Sequence, residues 1–529
     1  MLSLSTLALL APPALLLHLL ISYLRNPLRR IPAAHPLAHF TGLWISWIRW
    51  RRIENATLRM AHHRLGPIVC LGPQEVSVNC VKGGVRDVYT GGFEKRDAKS
   101  GYNWYGFFTN FGAENMFSTG LNKPHSARKR MLSNIYSKSV VTASPALQAQ
   151  VSKILSQRFL PRLDAIYSGA EKGVFEVSSL MSASTMDIVT SYIFGLKASS
   201  NLLDNPKELT WFLDLYKSRH GHTFWPQEYP RFTSFLKTWL GISLSPPWVA
   251  EANAEIEKWT MDMCDRAAAV VQQNEVKTEE TPSVYRQLST AIAKDVKKNE
   301  LGDVDTRSMV ASELLDHLAA GFDTSAITLT YVIFQLSMQP GVQRLLQSEL
   351  QRLSPRLEAS SSPHLPDPKT LDALPILHAV VWETLRLNPA IPGPQPRYTP
   401  PQGCQLGPNH EYFVPGGVRV SASAGLLNKN EEVYYNARKW RTERWLNIGK
   451  VKEEKRKDME SRWFWAFGSG GRMCVGSHLA VYQMKYIIAA LYSNYSTTMV
   501  DWPFMRQSDA YTAPPEDDKF FVKLEKINY

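Results

Sequence analysis

Apolar residues recur at helical spacing over long stretches of this chain and alternate over only a few short ones. The helical period dominates across residues 146–337 and again across 367–387, which predicts a mainly helical protein. Short runs at 68–71, 75–78 and 418–423 predict strands, so the expected class is mainly α with a minor β part, α+β. Residues 305–338 form a long apolar-rich run that Pro340 ends. Polar stretches at 272–280, at 294–300 and at 354–368 predict surface loops. No repeat and no long linker composition appears, so residues 53–529 read as one domain.

The N-terminus has a different pattern. Residues 2–24 carry no charged side chain apart from the titratable His18. As a helix rising ~1.5 Å per residue they would cross a ~30 Å hydrocarbon core. Pro12 and Pro13 would kink it, and Ala11 to Ala14 offer the small residues of a cleaved signal. No basic residue precedes the run, whereas Arg25, Arg29 and Arg30 follow it. That favours a retained transmembrane anchor with a lumenal N-terminus and a cytosolic domain. Residues 25–52 read as a basic, proline-stiffened hinge and interfacial segment. Within it Trp44, Trp47 and Trp50 interleave with Arg49, Arg51 and Arg52, which suits a membrane interface or an amphipathic helix packed on the domain.

With 529 residues the chain can enclose a buried cofactor. Its formal charge is +12, but the basic residues are scattered and no nucleic-acid motif is present. Membrane lipid and acidic protein partners therefore lead over nucleic acid. Five widely spaced cysteines without a C-x-x-C pair exclude a disulfide framework and a structural zinc site, and fit a reducing compartment.

The most informative stretch is Phe467-Gly468-Ser469-Gly470-Gly471-Arg472-Met473-Cys474-Val475-Gly476. One cysteine stands among glycines that let the backbone turn and approach a flat group closely. It resembles, at every fixed position, the haem-binding loop Phe-x-x-Gly-x-Arg-x-Cys-x-Gly of the cytochromes P450. The resemblance implies haem b ligated by the Cys474 thiolate, with Phe467, Gly470, Arg472 and Gly476 shaping the loop and Arg472 reaching a propionate. Such a thiolate pushes electron density onto iron and favours O–O cleavage.

Upstream, Ala320-Gly321-Phe322-Asp323-Thr324-Ser325 sits inside the long apolar run. A glycine there costs ~1 kcal/mol relative to alanine, and threonine back-bonds to a carbonyl one turn earlier and bends the helix. A local opening would admit dioxygen and water. The segment is similar to the oxygen-activating helix of the same family, which implies proton-relay roles for Asp323 and Thr324.

Glu383 and Arg386 are spaced i, i+3 on a predicted helix, and Glu443-Arg444-Trp445 follows about sixty residues later. In the family an arginine from the later segment joins the earlier pair. The resemblance implies a buried structural network of Glu383, Arg386 and Arg444, with Thr442 where proline is usual. It also makes Arg397 a propionate contact. In place of the family's Trp-x-x-x-Arg stand His125 and Lys129, and whether His125, Arg128, Lys129 or Arg130 reaches the haem stays open beside a reductase-docking role for that helix. Tyr102, Trp104, Tyr105, Phe107, Phe108, Phe111 and Phe117 occupy the family's variable distal loop, as pocket lining or as core.

The resemblance implies the cytochrome P450 fold and a monooxygenase. It would insert one atom of O2 into a hydrophobic small molecule, with NADPH electrons delivered by NADPH-cytochrome P450 reductase and cytochrome b5 as a candidate second donor. Basic segments at 128–130 or 452–457 would meet the reductase. The style is that of filamentous-fungal microsomal members, which implies a single-pass endoplasmic reticulum protein acting on a polyketide, terpenoid or alkaloid intermediate of secondary metabolism. Xenobiotic or fatty/aromatic acid hydroxylation is the alternative. A reductase-independent isomerase or dehydratase, or a membrane-tethered haem sensor, fits the Asp323–Thr324 pair less well.

Overall fold

The computed structural model describes residues 17, 20–21, 23–170, 172–298, 305–358, 365–446, 457–500, 505–516 and 519–527. Among these, helices dominate and strands are few and short. The helix Thr306–Met338 runs through the centre and packs along Val177–Phe194. Both are buried nearly all round, as a helix in the middle of a large core must be. Around them lie Ser283–Lys298, Pro375–Leu387 and Ser477–Tyr492, whose apolar side chains join one continuous core.

A four-stranded sheet stands beside this body in the order Ile68–Gly72, Glu75–Val78, Arg419–Ser423, Pro394–Tyr398. Glu75–Val78 pairs parallel with Arg419–Ser423 and the other pairings are antiparallel. The register places Arg397 opposite Val420. Its core holds Ile68, Val76, Val420 and Trp465, so the segment leading into the cysteine loop is anchored in the sheet.

Three expectations change. The transmembrane helix and the single-pass endoplasmic reticulum topology are corrected: no helix among the described residues is long and apolar enough to cross a membrane. Of the span 2–24, residues 2–16, 18, 19 and 22 lie outside the described set. The proline-stiffened hinge is docked rather than extended. Pro27–Arg30 forms a 3-10 turn, Leu28 and Ile31 are buried, and Cys70 N donates to Pro32 O at 2.8 Å. After it Leu43–Trp50 packs Ile45 and Ile48 inward, with Trp47 and Trp50 exposed. The loop expected at 294–300 is helical as far as Lys298, because Val284, Leu288 and Ile292 bury one face and the lysines continue its solvent face.

Candidate active site

The cysteine loop is held from three sides. Met473 N donates to Gly470 O at 3.1 Å and Cys474 N to Phe467 O at 3.0 Å, closing a compact turn. Gly470 has φ +70°, and a Cβ there would collide with the Tyr89 carbonyl, so only glycine lets the loop seat on that segment. Lys129 donates through Nζ to Gly471 O at 2.9 Å and to Met473 O at 3.3 Å. Lys129 therefore stitches the loop from the helix Asn122–Leu132.

Ser477–Tyr492 starts immediately after the loop, and the Gly476 and Ser477 amides hydrogen-bond to Cys474. Burial pushes the thiol pKa up, while those amides and the Lys129 ammonium pull it back toward the thiolate. A helix N-terminus and a lysine are the surroundings that favour a thiolate. Cys474 keeps an exposed face although protein surrounds it. It therefore looks into an internal hollow, and a Cβ on Gly476 would meet nothing within 4 Å.

Cations gather at one corner of this site. Arg472 donates to Asn122 Oδ1 at 3.0 Å, Thr119 O at 2.7 Å and Gly120 O at 3.1 Å. Arg397 donates to Tyr105 Oη at 2.9 Å and lies over the Tyr89 ring. Lys95, which motif reading missed, is buried and donates to Phe117 O at 2.7 Å. Burial and then its cationic neighbours push Arg472 down to about 10 and His125 down to about 3, and hold Lys95 well below the usual lysine range. Glu94 is 3.9 Å from Arg472 and offsets only part of this charge. A group carrying two carboxylates would relieve the mutual repulsion, so the donor set fits the two propionates of a haem. Arg128 turns inward, 3.5 Å from Glu313, and Arg130 is exposed. Residues 452–456 lie outside the described set.

The central helix presents one accessible stripe. Between buried flanks, Asp316, Ala319, Ala320, Asp323 and Thr324 are open, the spacing of one helical face over two turns. Thr324 Oγ1 donates to Ala320 O at 2.8 Å, and the Tyr216 hydroxyl hydrogen-bonds to Asp323. The helix is unbroken, which differs from the expected local opening. Gly321 serves close packing instead: a Cβ there would lie 3.1 Å from both Val189 methyl groups.

Glu383, Arg386 and Arg444 come together below the loop. Arg386 forks onto Glu383 with two bonds of 2.8 Å, and Arg444 Nε joins at 3.1 Å. Both Glu383 and Arg386 are fully buried. Trp445 Nε1 at 2.9 Å and the Arg441 amide at 2.8 Å complete the carboxylate's shell. Arg386 also binds the carbonyls of Asn428 at 2.8 Å and Ala437 at 2.7 Å. This network crosslinks the helix Pro375–Leu387 to the chain between the sheet and the cysteine loop.

Of the distal-loop aromatics, Trp104 and Tyr105 are buried, and Trp104 Nε1 donates to Glu228 Oε1 at 2.7 Å. Phe108 and Phe117 pack with Tyr511 from the C-terminal segment, at ring separations of 5.6 and 6.4 Å. Tyr511 carries no motif, and only the fold brings it here.

The family model described as cytochrome P450 matches residues 34–519. A cytochrome P450 monooxygenase of Gibberella zeae, FGM1, is 26% identical over 479 residues, spanning 90% of this chain and 88% of its own. Another from Aspergillus hancockii, hkm5, is 26% identical over 90% of this chain and 86% of its own. A third, avaI of Aspergillus versicolor, is 29% identical over 70% of this chain and 82% of its own. With a thiol loop, a cationic cradle and a match over nearly its whole length, the chain belongs to the cytochrome P450 family, oxidoreductases whose cofactor is haem b on an axial cysteine thiolate and which use O2 and NADPH-derived electrons.

Proposed function

We propose that this protein oxidises a hydrophobic small molecule, an intermediate of fungal secondary metabolism of polyketide, terpenoid or alkaloid type, at a haem held by Cys474. The carrying observation is the Cys474 thiol, accessible to an internal hollow and supported by the Gly476 and Ser477 amides and Lys129. Arg472, Arg397, Lys95 and His125 would hold the propionates. When bound, haem supplies the activation of O2, with one atom inserted into substrate and the other reduced to water.

The remaining work falls to protein groups. Amides and Lys129 favour the charged form of the sulfur against the burial that raises its pKa. Asp323 accepts a hydrogen bond from the Tyr216 hydroxyl, which holds the carboxylate in place, and Thr324 Oγ1 presents its lone pairs to the hollow while its hydrogen is engaged by Ala320 O. Together they deliver protons along one helical face. Phe108, Phe117 and Tyr511 exclude water and contact an apolar substrate. Glu383, Arg386 and Arg444 hold the scaffold. Electrons arrive from NADPH-cytochrome P450 reductase, for which exposed Arg130 is a docking cation.

Reduced holoenzyme under carbon monoxide tests the assignment. The strongly red-shifted Soret band of thiolate ligation is expected, and Cys474→Ala should abolish it. An unshifted band in the parent protein would overturn the reading. Incubation of enzyme and reductase with products of co-expressed biosynthetic enzymes identifies the substrate.

A further inference from the structure

Lys429 is a cation without a counter-ion. It follows the short helix Ala424–Leu427, and its amide donates to Leu426 O at 3.1 Å. The residue is only half-buried by surface area, yet protein closes around the ammonium, so it stands in a recess and not on an open face. Among the described residues the ammonium has no hydrogen bond and no ion pair. An enclosed charge without a partner is costly, and an apolar side chain of similar length would serve the fold better.

Its neighbours add to the imbalance. Arg386 Nη1 grips the carbonyls of Asn428 at 2.8 Å and Ala437 at 2.7 Å, which brings the next residues along the chain, Lys429 and Arg438, to one place. Arg59 joins them from the helix Glu54–Leu65. Arg59 and Arg438 are exposed, so guanidinium groups rim the recess that holds the ammonium. Every charged group acting on Lys429 is cationic: Arg59, Arg386 and Arg438. The carboxylates of this neighbourhood are committed elsewhere. Glu383 serves Arg386, Glu431 accepts from the Ala437 amide at 3.0 Å, and Asp509 accepts from the Asn55 and Ala56 amides at 2.9 and 3.1 Å.

We infer that Lys429, Arg59 and Arg438 form a binding site for a phosphate-type oxyanion, separate from the haem cradle. None of the cradle cations acts on Lys429. Two guanidinium groups and an ammonium offer charge-assisted donors to tetrahedral oxygens. A recess of this kind admits a free phosphate ion or the phosphomonoester head group of a lipid, which share the recognised group. Burial and then the three arginines push the Lys429 pKa down to about 8. A bound oxyanion opposes that shift, so the ammonium that receives it is present below that pH and lost above it. The anion would also bridge the two segments that Arg386 gathers, and so brace the scaffold around Glu383.

The test titrates the holoenzyme with sodium phosphate against sodium chloride of equal ionic strength, with binding read by calorimetry and stability by the denaturation midpoint. The parent protein should bind phosphate saturably, and its midpoint should rise with it. Lys429→Met should raise the midpoint in chloride, because the repulsion is gone, and weaken phosphate binding by about tenfold or more. Arg438→Gln should weaken binding as well. Lys207→Met, which removes an exposed lysine elsewhere, should leave it unchanged. Lys429→Arg should match the parent near about pH 7 and bind about tenfold more tightly than the parent near about pH 9, where the lysine is largely neutral and the arginine is not. Vesicles of phosphatidylcholine with and without phosphatidate tell the two sources apart. Vesicle binding that depends on Lys429 assigns a lipid head group, and free phosphate binding without it assigns a soluble ion. Phosphate that fails to bind the parent, or that binds Lys429→Met and Arg438→Gln as it binds the parent, overturns the inference.

Discussion

The Gln483 side-chain amide donates to the Gly321 carbonyl at 3.1 Å and to Ser325 Oγ at 2.7 Å. Gln483 lies on the helix whose first amides meet Cys474, about 10 Å further along its axis. One side chain thus ties the thiol-bearing helix to the helix carrying Asp323 and Thr324. Gln483→Leu leaves a buried carbonyl and hydroxyl without this donor, an expected loss of about 1–3 kcal/mol in urea denaturation. Product formed per NADPH should fall as well. An unchanged midpoint would refute the link.

The Glu383 carboxylate accepts from Arg386, Arg444, Trp445 and the Arg441 amide in a dry environment. Glu383→Ala strands the Arg386 guanidinium and should cost about 3–5 kcal/mol, enough to prevent stable haem incorporation. Trp445→Phe removes a single donor to a charged group and should cost about 1.5–3 kcal/mol while haem is retained. Haem content after purification, with denaturation midpoints, separates the two. Equal losses would mean the ion pairs matter no more than the indole.

Thr324→Ala and Asp323→Asn remove different parts of the proposed relay. Thr324→Ala should leave NADPH consumption near normal and divert it to peroxide. Asp323→Asn should lower kcat by about 10²-fold, the usual weight of a positioned proton carrier. Parallel assays of NADPH, product and peroxide check both. Coupling that stays intact in Thr324→Ala removes Thr324 from the relay.

His125 gives a pH signature. Its imidazole is neutral in the fold, with its pKa pushed down to about 3 by burial and then by Arg472, Lys95, Lys129 and Arg397. The unfolded chain takes up this proton near pH 6.5, so stability falls as pH drops from about 6.5 toward 3, by about 2 kcal/mol at pH ~5. His125→Asn should flatten that slope. The slope should also be shallower with haem bound, because the propionates offset the surrounding cations. Denaturation midpoints at two pH values, with and without haem, decide it. A variant as acid-sensitive as the parent would rule the imidazole out.

Legibility in the chain followed the range of the interactions. The cysteine loop was readable because its glycines, arginine and thiol lie within ten residues. Glu383 and Arg386 were readable as an i, i+3 pair, and the central helix as an apolar period. The strand runs at 68–71 and 75–78 correspond to Ile68–Gly72 and Glu75–Val78. Lys95, Gln483 and Tyr216 had no local signal, since each acts on residues far away in sequence. By sequence Gly321 predicts a helix opening, whereas in the fold it makes room for Val189 of another helix. Its prolines predict an extended hinge, while the burial of Leu28 and Ile31 decides where the segment docks.

By itself, then, the sequence determined the helical class and the kind of chemistry at Cys474, because periodicity and a ten-residue loop survive without a fold. Tertiary structure alone decided which lysine stitches the loop and which cations share the cradle. Lys129 meets Gly471 across 342 residues, and Gln483 meets Gly321 across 162. Those pairings, and the burial that moves the pKa values of His125, Arg472 and Lys429, exist only once distant segments displace water from between them.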